Sequence, residues 1–251
     1  MQKNTTNVPL LGIFDSGVGG FSVYRSVQKV TTANTIYYGD CARAPYGNRE
    51  EEEIKEFIKD DIRFLQDEGV THFVNACNSM SVITTSSLLQ ECGVSEDKYT
   101  DMIQAFKKHV SFDKEAKVLL VATHATIRSG VYQDVLEKYG VTCFEYEYTD
   151  LALAIEKNAK EEELVAIIIE GMKYAQEKNV THVVYGCTHY PLIHELFLIA
   201  GKKVGWKGEY VDPASYVAME VKEWSLQGER NFSPHSSKDT PAFIKNMIAF
   251  L

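Results

Sequence analysis

An eight-residue stretch occurs twice in this chain: VTHFVNAC at residues 70–77 returns as VTHVVYGC at 180–187, its cysteine displaced by 110 positions. Each copy is an apolar run of strand type that ends in a small residue and then cysteine. Each also follows a charged stretch with helical apolar spacing, EEEIKEFIKDDIRFLQDEG at 51–69 and EEELVAIIIEGMKYAQEKN at 161–179. A weaker echo lies upstream, where a strand ending at Asp15-Ser16-Gly17 is matched by one ending near Thr123-His124-Ala125, 108 positions on. Buried strands recur by chance, but a cysteine recurring in register with them does not follow from that. The two offsets therefore point to a duplicated α/β unit. If the halves face each other about a pseudo-twofold axis, each contributes one cysteine, Cys77 or Cys187, to opposite sides of a shared cleft.

Five apolar runs, LLGIF, TIYYG, THFVNA, KVLLVA and THVVYG, alternate with helix-like stretches, the pattern of a parallel α/β sheet. In such sheets reactive groups gather beyond the carboxyl ends of the strands, so the polar segments after these runs are expected on one rim. The acidic starts of the two long helices read as solvated faces with favourable N-terminal charge.

At 251 residues and 45% hydrophobic content the chain buries a substantial core in one large or two small domains. Its net charge of −9 argues against a nucleic-acid partner. An acidic small substrate would be received by local donors rather than by the overall field. The five cysteines are odd in number and include no C-x-x-C pair, so neither a disulfide framework nor a zinc ribbon is suggested and a reducing cytoplasm is the simplest home. MQKNTTNVPLLGIF lacks the features of a secretory signal, and no segment has the apolar length of a membrane span.

Cys92 and Cys143 read as small buried hydrophobes. Cys77 and Cys187 each sit where a strand gives way to a possible helix start, a place where amides and the helix dipole favour thiolate. A free thiol ionises near pH 8.5, so a modest downward shift would make each a useful base. Two such groups on opposite faces of a carbon acid would remove a proton from one side and return it on the other. A single Cys-His nucleophile would leave the second cysteine unexplained, and Cys187-x-His189 brings no third or fourth local metal ligand. Asp15 either orients a substrate ammonium or supports a cysteine, or else forms an ordinary Asx-turn. DSGVGG has neither dinucleotide spacing nor a Walker lysine. His189 is placed to tune Cys187 or contact substrate, whereas strand context makes His72 and His182 buried structural residues. Pro45-Tyr46-Gly47 is a tight turn.

Six segments, GIFDSGVGGF (12–21), YGDCARAPYGN (38–48), NACNSM (75–80), THATIRSGVYQ (123–133), YGCTHYPLIH (185–194) and VDPASYVAM (211–219), resemble in order the cofactor-independent glutamate racemases of the aspartate/glutamate racemase superfamily. The resemblance implies two pseudo-symmetric, doubly wound α/β domains with mainly parallel sheets and the active site between them. The first domain would span 1–99 completed by 209–251, and the second 100–208. It further implies a homodimer that uses no cofactor and acts on an acidic amino acid, with Cys77 and Cys187 as the two bases and Asp15 and His189 assisting them. Ser16, Pro45, Tyr46, Gly47, Asn78, Ser79, Thr123, Thr126 and Thr188 fall at positions that line the amino-acid site. Donors of this kind would hold both carboxylates without a guanidinium.

The chain departs from the family pattern at several points. Cys41 and Ser79 stand where the family usually has threonine, and Met80 replaces a small residue, a change expected to alter the pocket's shape. The segment from Cys143 to Ile155 lacks the family's proline-containing stretch, and Glu156 is the nearest counterpart of a glutamate assigned a supporting role.

Overall fold

A computed structural model describes residues 9–47 and 49–250. The leading MQKNTTNV, Asn48 of the YGDCARAPYGN motif and Leu251 lie outside the described residues. In chain order the strands are β1 (Leu10–Asp15), β2 (Asn34–Gly39), β3 (His72–Asn75), β4 (Tyr99–Asp101), β5 (Lys117–Ala122), β6 (Thr142–Glu147), β7 (His182–Gly186), β8 (Glu209–Val211) and β9 (Phe232–Ser236). They form two sheets in which every pairing is parallel, ordered β4-β3-β1-β2-β9 and β6-β5-β7-β8. Reversed, the second order is β8-β7-β5-β6, which matches β4-β3-β1-β2 strand for strand. The two halves therefore share one topology, with β9 an added fifth strand.

The repeated VTH has the same structural task in both halves. Thr71 Oγ1 accepts from the Leu10 amide (3.1 Å) at the start of β1, and Thr181 Oγ1 accepts from the Lys117 amide (3.0 Å) at the start of β5. The preceding helices, Glu51–Asp67 and Glu161–Glu177, also stop alike. Gly69 and Asn179 both take positive φ, and the next amides, of Val70 and Val180, reach back to the Leu65 and Ala175 carbonyls. This left-handed stop satisfies terminal carbonyls and turns the chain into the strand.

Both sheets are covered on both faces, as parallel sheets require. In β5, Leu119 and Val121 pack with the Glu161–Glu177 helix, while Val118 and Leu120 meet Phe106, Tyr132 and Leu136 on the other side. In the first sheet, Leu11 and Ile13 face Val217 and Val221 of the helix Ala214–Glu223, and Phe14 and Ile36 face Ile54, Ile58 and Ile62. β9 and the helix Thr240–Ile248 cover the outer edge, where Phe243 packs on Tyr37 at 5.8 Å between ring centroids. By sheet membership, β4 belongs with the first half and β8 with the second.

Four expected burials differ. Cys92 and Cys143 are only partly buried, because each sits near the rim of its core rather than within it. His72 and His182 are half-buried at the open amino ends of their strands. There Thr71 and Thr181 hold their Nδ1 atoms at 2.9 and 2.8 Å, and the His72 ring packs against Trp224. Among the described residues no helix is long and apolar enough to cross a membrane.

Candidate active site

The segments that follow β1, β2, β3, β5 and β7 converge on one cavity of about 180 Å³ between the two sheets. That is smaller than the roughly 300–1,000 Å³ of pockets for drug-sized ligands, and suits one small metabolite. Cys77 and Cys187 both line it, each at the end of the equivalent strand of its own half. Every other residue assigned above to the amino-acid site also lines it, with the exception of Thr126. Thr126 is fully buried one layer back, with its hydroxyl 3.2 Å from that of Thr123, so it supports the wall without forming it. Met80 is likewise buried and absent from the wall, because its side chain turns into the apolar cluster of the first half. Cys41, in contrast, is part of the wall.

Cys187 stands beside a chain of ionisable groups. Its Sγ lies 3.6 Å from His189 Nδ1, and His189 Nε2 lies 2.7 Å from Glu156 Oε1, which also accepts from the Val18 amide at 2.8 Å. Burial alone would strip the proton from His189, but the Cys187 and Glu156 partners outweigh it and hold the imidazole protonated well above its ordinary range. Burial also opposes the Glu156 charge, yet the His189 hydrogen bond prevails and keeps that carboxyl below its usual value. The glycines of DSGVGG are there for space. A Cβ on Gly17 would collide with the Glu156 carboxylate and one on Gly19 with the His189 ring, so side-chain-free backbone lets the first half approach the second.

Asp15 connects the halves from the other direction. Its Oδ1 accepts from the Gly17 amide (2.7 Å) and its Oδ2 from the Thr188 hydroxyl (3.2 Å), while the Ser22 hydroxyl donates to the Thr188 carbonyl (3.0 Å). The Asx-turn and the cross-cleft contact coexist in one side chain. Burial pushes the Asp15 carboxyl up to about 6.

Cys77 overturns the expectation of a favoured thiolate. Burial, and after it the Asp15 charge, push its thiol up to about 12, against the opposing help of the Met80 amide and the Ser16 hydroxyl 3.7 Å away. The helix it begins, Asn78–Ser81, is a single turn, whose dipole is too short to offset desolvation. Cys77 is thus held as a thiol at neutral pH.

Asn78 offers a donor to the cavity. Its Oδ1 accepts from Tyr132 Oη at 2.6 Å, while its buried Nδ2 has no hydrogen-bond partner among the described residues. An unmet buried donor costs about 1–3 kcal/mol, a cost that an anionic ligand in the cavity would remove. Across the cleft, the Ser79 and Thr123 hydroxyls lie 3.3 Å apart. Ala44, Ala152, Leu153 and Gly186 also line the wall and were missed in the sequence. Ala152 and Leu153 precede Glu156 in the helix Leu151–Glu156, and nothing in LALAIE distinguishes a cavity wall from an ordinary apolar face.

Known proteins are similar to this chain along most of its length. The sequence profile of the family described as Asp/Glu/Hydantoin racemase matches residues 11–199. Glutamate racemase 3 of Caldanaerobacter subterraneus subsp. tengcongensis is 30% identical over 242 residues, 94% of this chain and 86% of that protein. The glutamate racemase of Carboxydothermus hydrogenoformans is 35% identical over 232 residues, 87% of this chain and 82% of that protein. Glutamate racemase from Francisella tularensis, solved in complex with D-glutamate, has the same fold, with a TM-score of 0.82 at 24% identity over 98% of this chain and 94% of that one. Matched from its first strand to the helix that follows the second cysteine, this chain belongs to the Asp/Glu/hydantoin racemase family of amino-acid racemases.

Proposed function

We propose that this protein interconverts L- and D-glutamate with Cys77 and Cys187 as opposed proton-transfer groups and no cofactor. The observation that carries the proposal is that two thiols from equivalent strand ends of the two halves line one small cavity. In one direction Cys187, paired with the His189 imidazolium, takes the α-proton as thiolate, and the Cys77 thiol delivers a proton to the opposite face of the carbanion. The reverse reaction exchanges the roles, leaving Cys77 as the thiolate that abstracts. The substrate ammonium, placed near Asp15, would offset the charge that disfavours ionised Cys77. Donors such as Asn78 Nδ2, Ser79, Thr123 and Thr188 would hold the carboxylates and stabilise charge as it develops. Curated relatives named glutamate racemase support glutamate as the substrate. The family resemblance supports a cytoplasmic homodimer, each subunit with the domain division drawn above, that supplies D-glutamate for peptidoglycan.

Purified protein incubated separately with L-glutamate and L-aspartate, followed by circular dichroism or chiral chromatography, tests this reading. Loss of rotation with L-glutamate in the presence of a metal chelator is expected. Turnover of aspartate alone would reassign the substrate, and turnover of neither would overturn the racemase reading. Asn78→Ala should raise KM for glutamate roughly 10- to 100-fold, since a hydrogen bond to a charged group contributes about 1.5–3 kcal/mol. Steady-state kinetics would show a smaller change in kcat; an unchanged KM would place the carboxylates elsewhere.

A further inference from the structure

Behind the Ala44–Gly47 wall of the cavity lies a cluster of charged groups that the reaction does not use. Arg43 donates through Nε to Asp40, through Nη1 to Asp60 Oδ2 (2.8 Å) and through Nη2 to Asp61 Oδ1 (2.9 Å). Tyr46, which also lines the cavity, donates its hydroxyl to the same Asp40 oxygen as Arg43 Nε. The Arg43 guanidinium lies 4.3 Å over the Phe57 ring, and the Tyr46 ring packs on that phenyl at 5.2 Å. The cluster therefore ties the helix Glu51–Asp67, which carries Phe57, Asp60 and Asp61, to the loop after β2, which carries Asp40, Arg43 and Tyr46.

Asp61 is out of place by its sequence position. It lies on the apolar stripe of its helix with Ile54, Ile58, Ile62 and Leu65, and its side chain is 0% exposed, whereas that of Asp60 is 51% exposed. Charged residues are almost never fully buried unless paired. Here one guanidinium faces two buried carboxylates, and Asp40 Oδ1 and Asp61 Oδ2 have no hydrogen-bond partner among the described residues. With both acids ionised, an uncompensated negative charge would remain in the core. Burial first, and the Asp40 charge second, keep the Asp61 carboxyl protonated well above the usual carboxylate range, with Arg43 opposing. A neutral carboxyl there still accepts from Arg43 and leaves the guanidinium charge to Asp40.

We propose that Asp61 is a positioning residue for the substrate: without reaching the cavity, it holds Arg43 against Asp40 and so sets the Pro45–Tyr46–Gly47 wall that the substrate meets. This rests on the reading of the cavity as the amino-acid site. Asp61 acts on binding more than on proton transfer, because the wall it fixes carries neither thiol. Asparagine has the shape of a protonated aspartate and retains an oxygen for Arg43, so it should serve in its place.

The experiment compares the wild-type protein with Asp61→Ala and Asp61→Asn by racemisation kinetics, calorimetric titration with D-glutamate, and hydrogen exchange of the Ala44, Tyr46 and Gly47 amides. Asp61→Ala is expected to raise KM and Kd about tenfold or more, with kcat within about threefold, and to speed exchange in that loop. Asp61→Asn is expected to stay within about twofold of wild type in all three. Wild-type KM, Kd and exchange in Asp61→Ala would overturn the proposal, as would an asparagine variant as impaired as alanine. If Asp61→Ala does not fold, Arg43→Lys keeps the charge but loses the fork, and must reproduce the KM rise and faster exchange. Should the wild-type protein neither racemise nor bind glutamate, the substrate reading fails, while exchange at 44–47 still decides whether Asp61 holds the wall.

Discussion

Alanine at Cys77 or at Cys187 will lower racemisation by a hundredfold to ten-thousandfold or more, the range over which a positioned acid or base contributes. The loss should be the same in kind for the two variants, since each completed inversion needs one group to abstract and the other to return a proton. The fold should survive. Both thiols border an existing cavity, so removing either sulfur enlarges a space instead of opening a new one inside packed core. Far-UV circular dichroism close to wild type would document that, and chiral chromatography would measure the loss. In deuterated water each variant still has one working face, so the two should wash deuterium into opposite isomers without inverting them. Racemisation at wild-type rates in either variant would sink the two-thiol scheme.

Glutamine at Glu156 will lower kcat about tenfold to a hundredfold and pull the alkaline limb of its pH profile downward. The sign follows from His189. Burial disfavours its imidazolium, and the Cys187 and Glu156 partners together outweigh that, so its proton persists well above the ordinary histidine range. Glutamine retains the shape and can still accept from Val18, but it removes the negative charge. Burial then meets less opposition, and the proton leaves at lower pH. The direction in which Cys187 must return a proton depends on the proton it shares with His189, 3.6 Å away, and that limb should move most. Profiles of kcat against pH taken from L- and from D-glutamate would check this. An alkaline limb that stays in place in both directions would detach Glu156 and His189 from the chemistry.

The two halves were legible in the sequence because their determinants are local. The apolar runs, the helices at 51 and 161, and the Gly69 and Asn179 stops are each set by residues within a few positions of one another. The strands that escaped notice are short or lie at edges. β4 and β8 have three residues each, and β6 is half exposed at the margin of its sheet, so none has a run long enough to stand out from coil. β9 contains Pro234 and pairs with a strand almost two hundred residues earlier. Proline is tolerated on such an edge and otherwise reads as a break.

What the sequence determined by itself was the duplicated α/β plan and the arrival of Cys77 and Cys187 at equivalent strand ends, since both follow from periodicity and from a repeat that can be counted. Only the tertiary structure decided how the two sulfurs differ. Glu156 meets His189 across 33 positions and Asp15 meets Thr188 across 173, and such contacts leave no local pattern. Whether a buried group keeps its proton depends on the solvent removed by every neighbour at once, which is why Cys77 is held as a thiol and why Asp61, spaced like a core residue, sits behind the wall of the cavity as an acid.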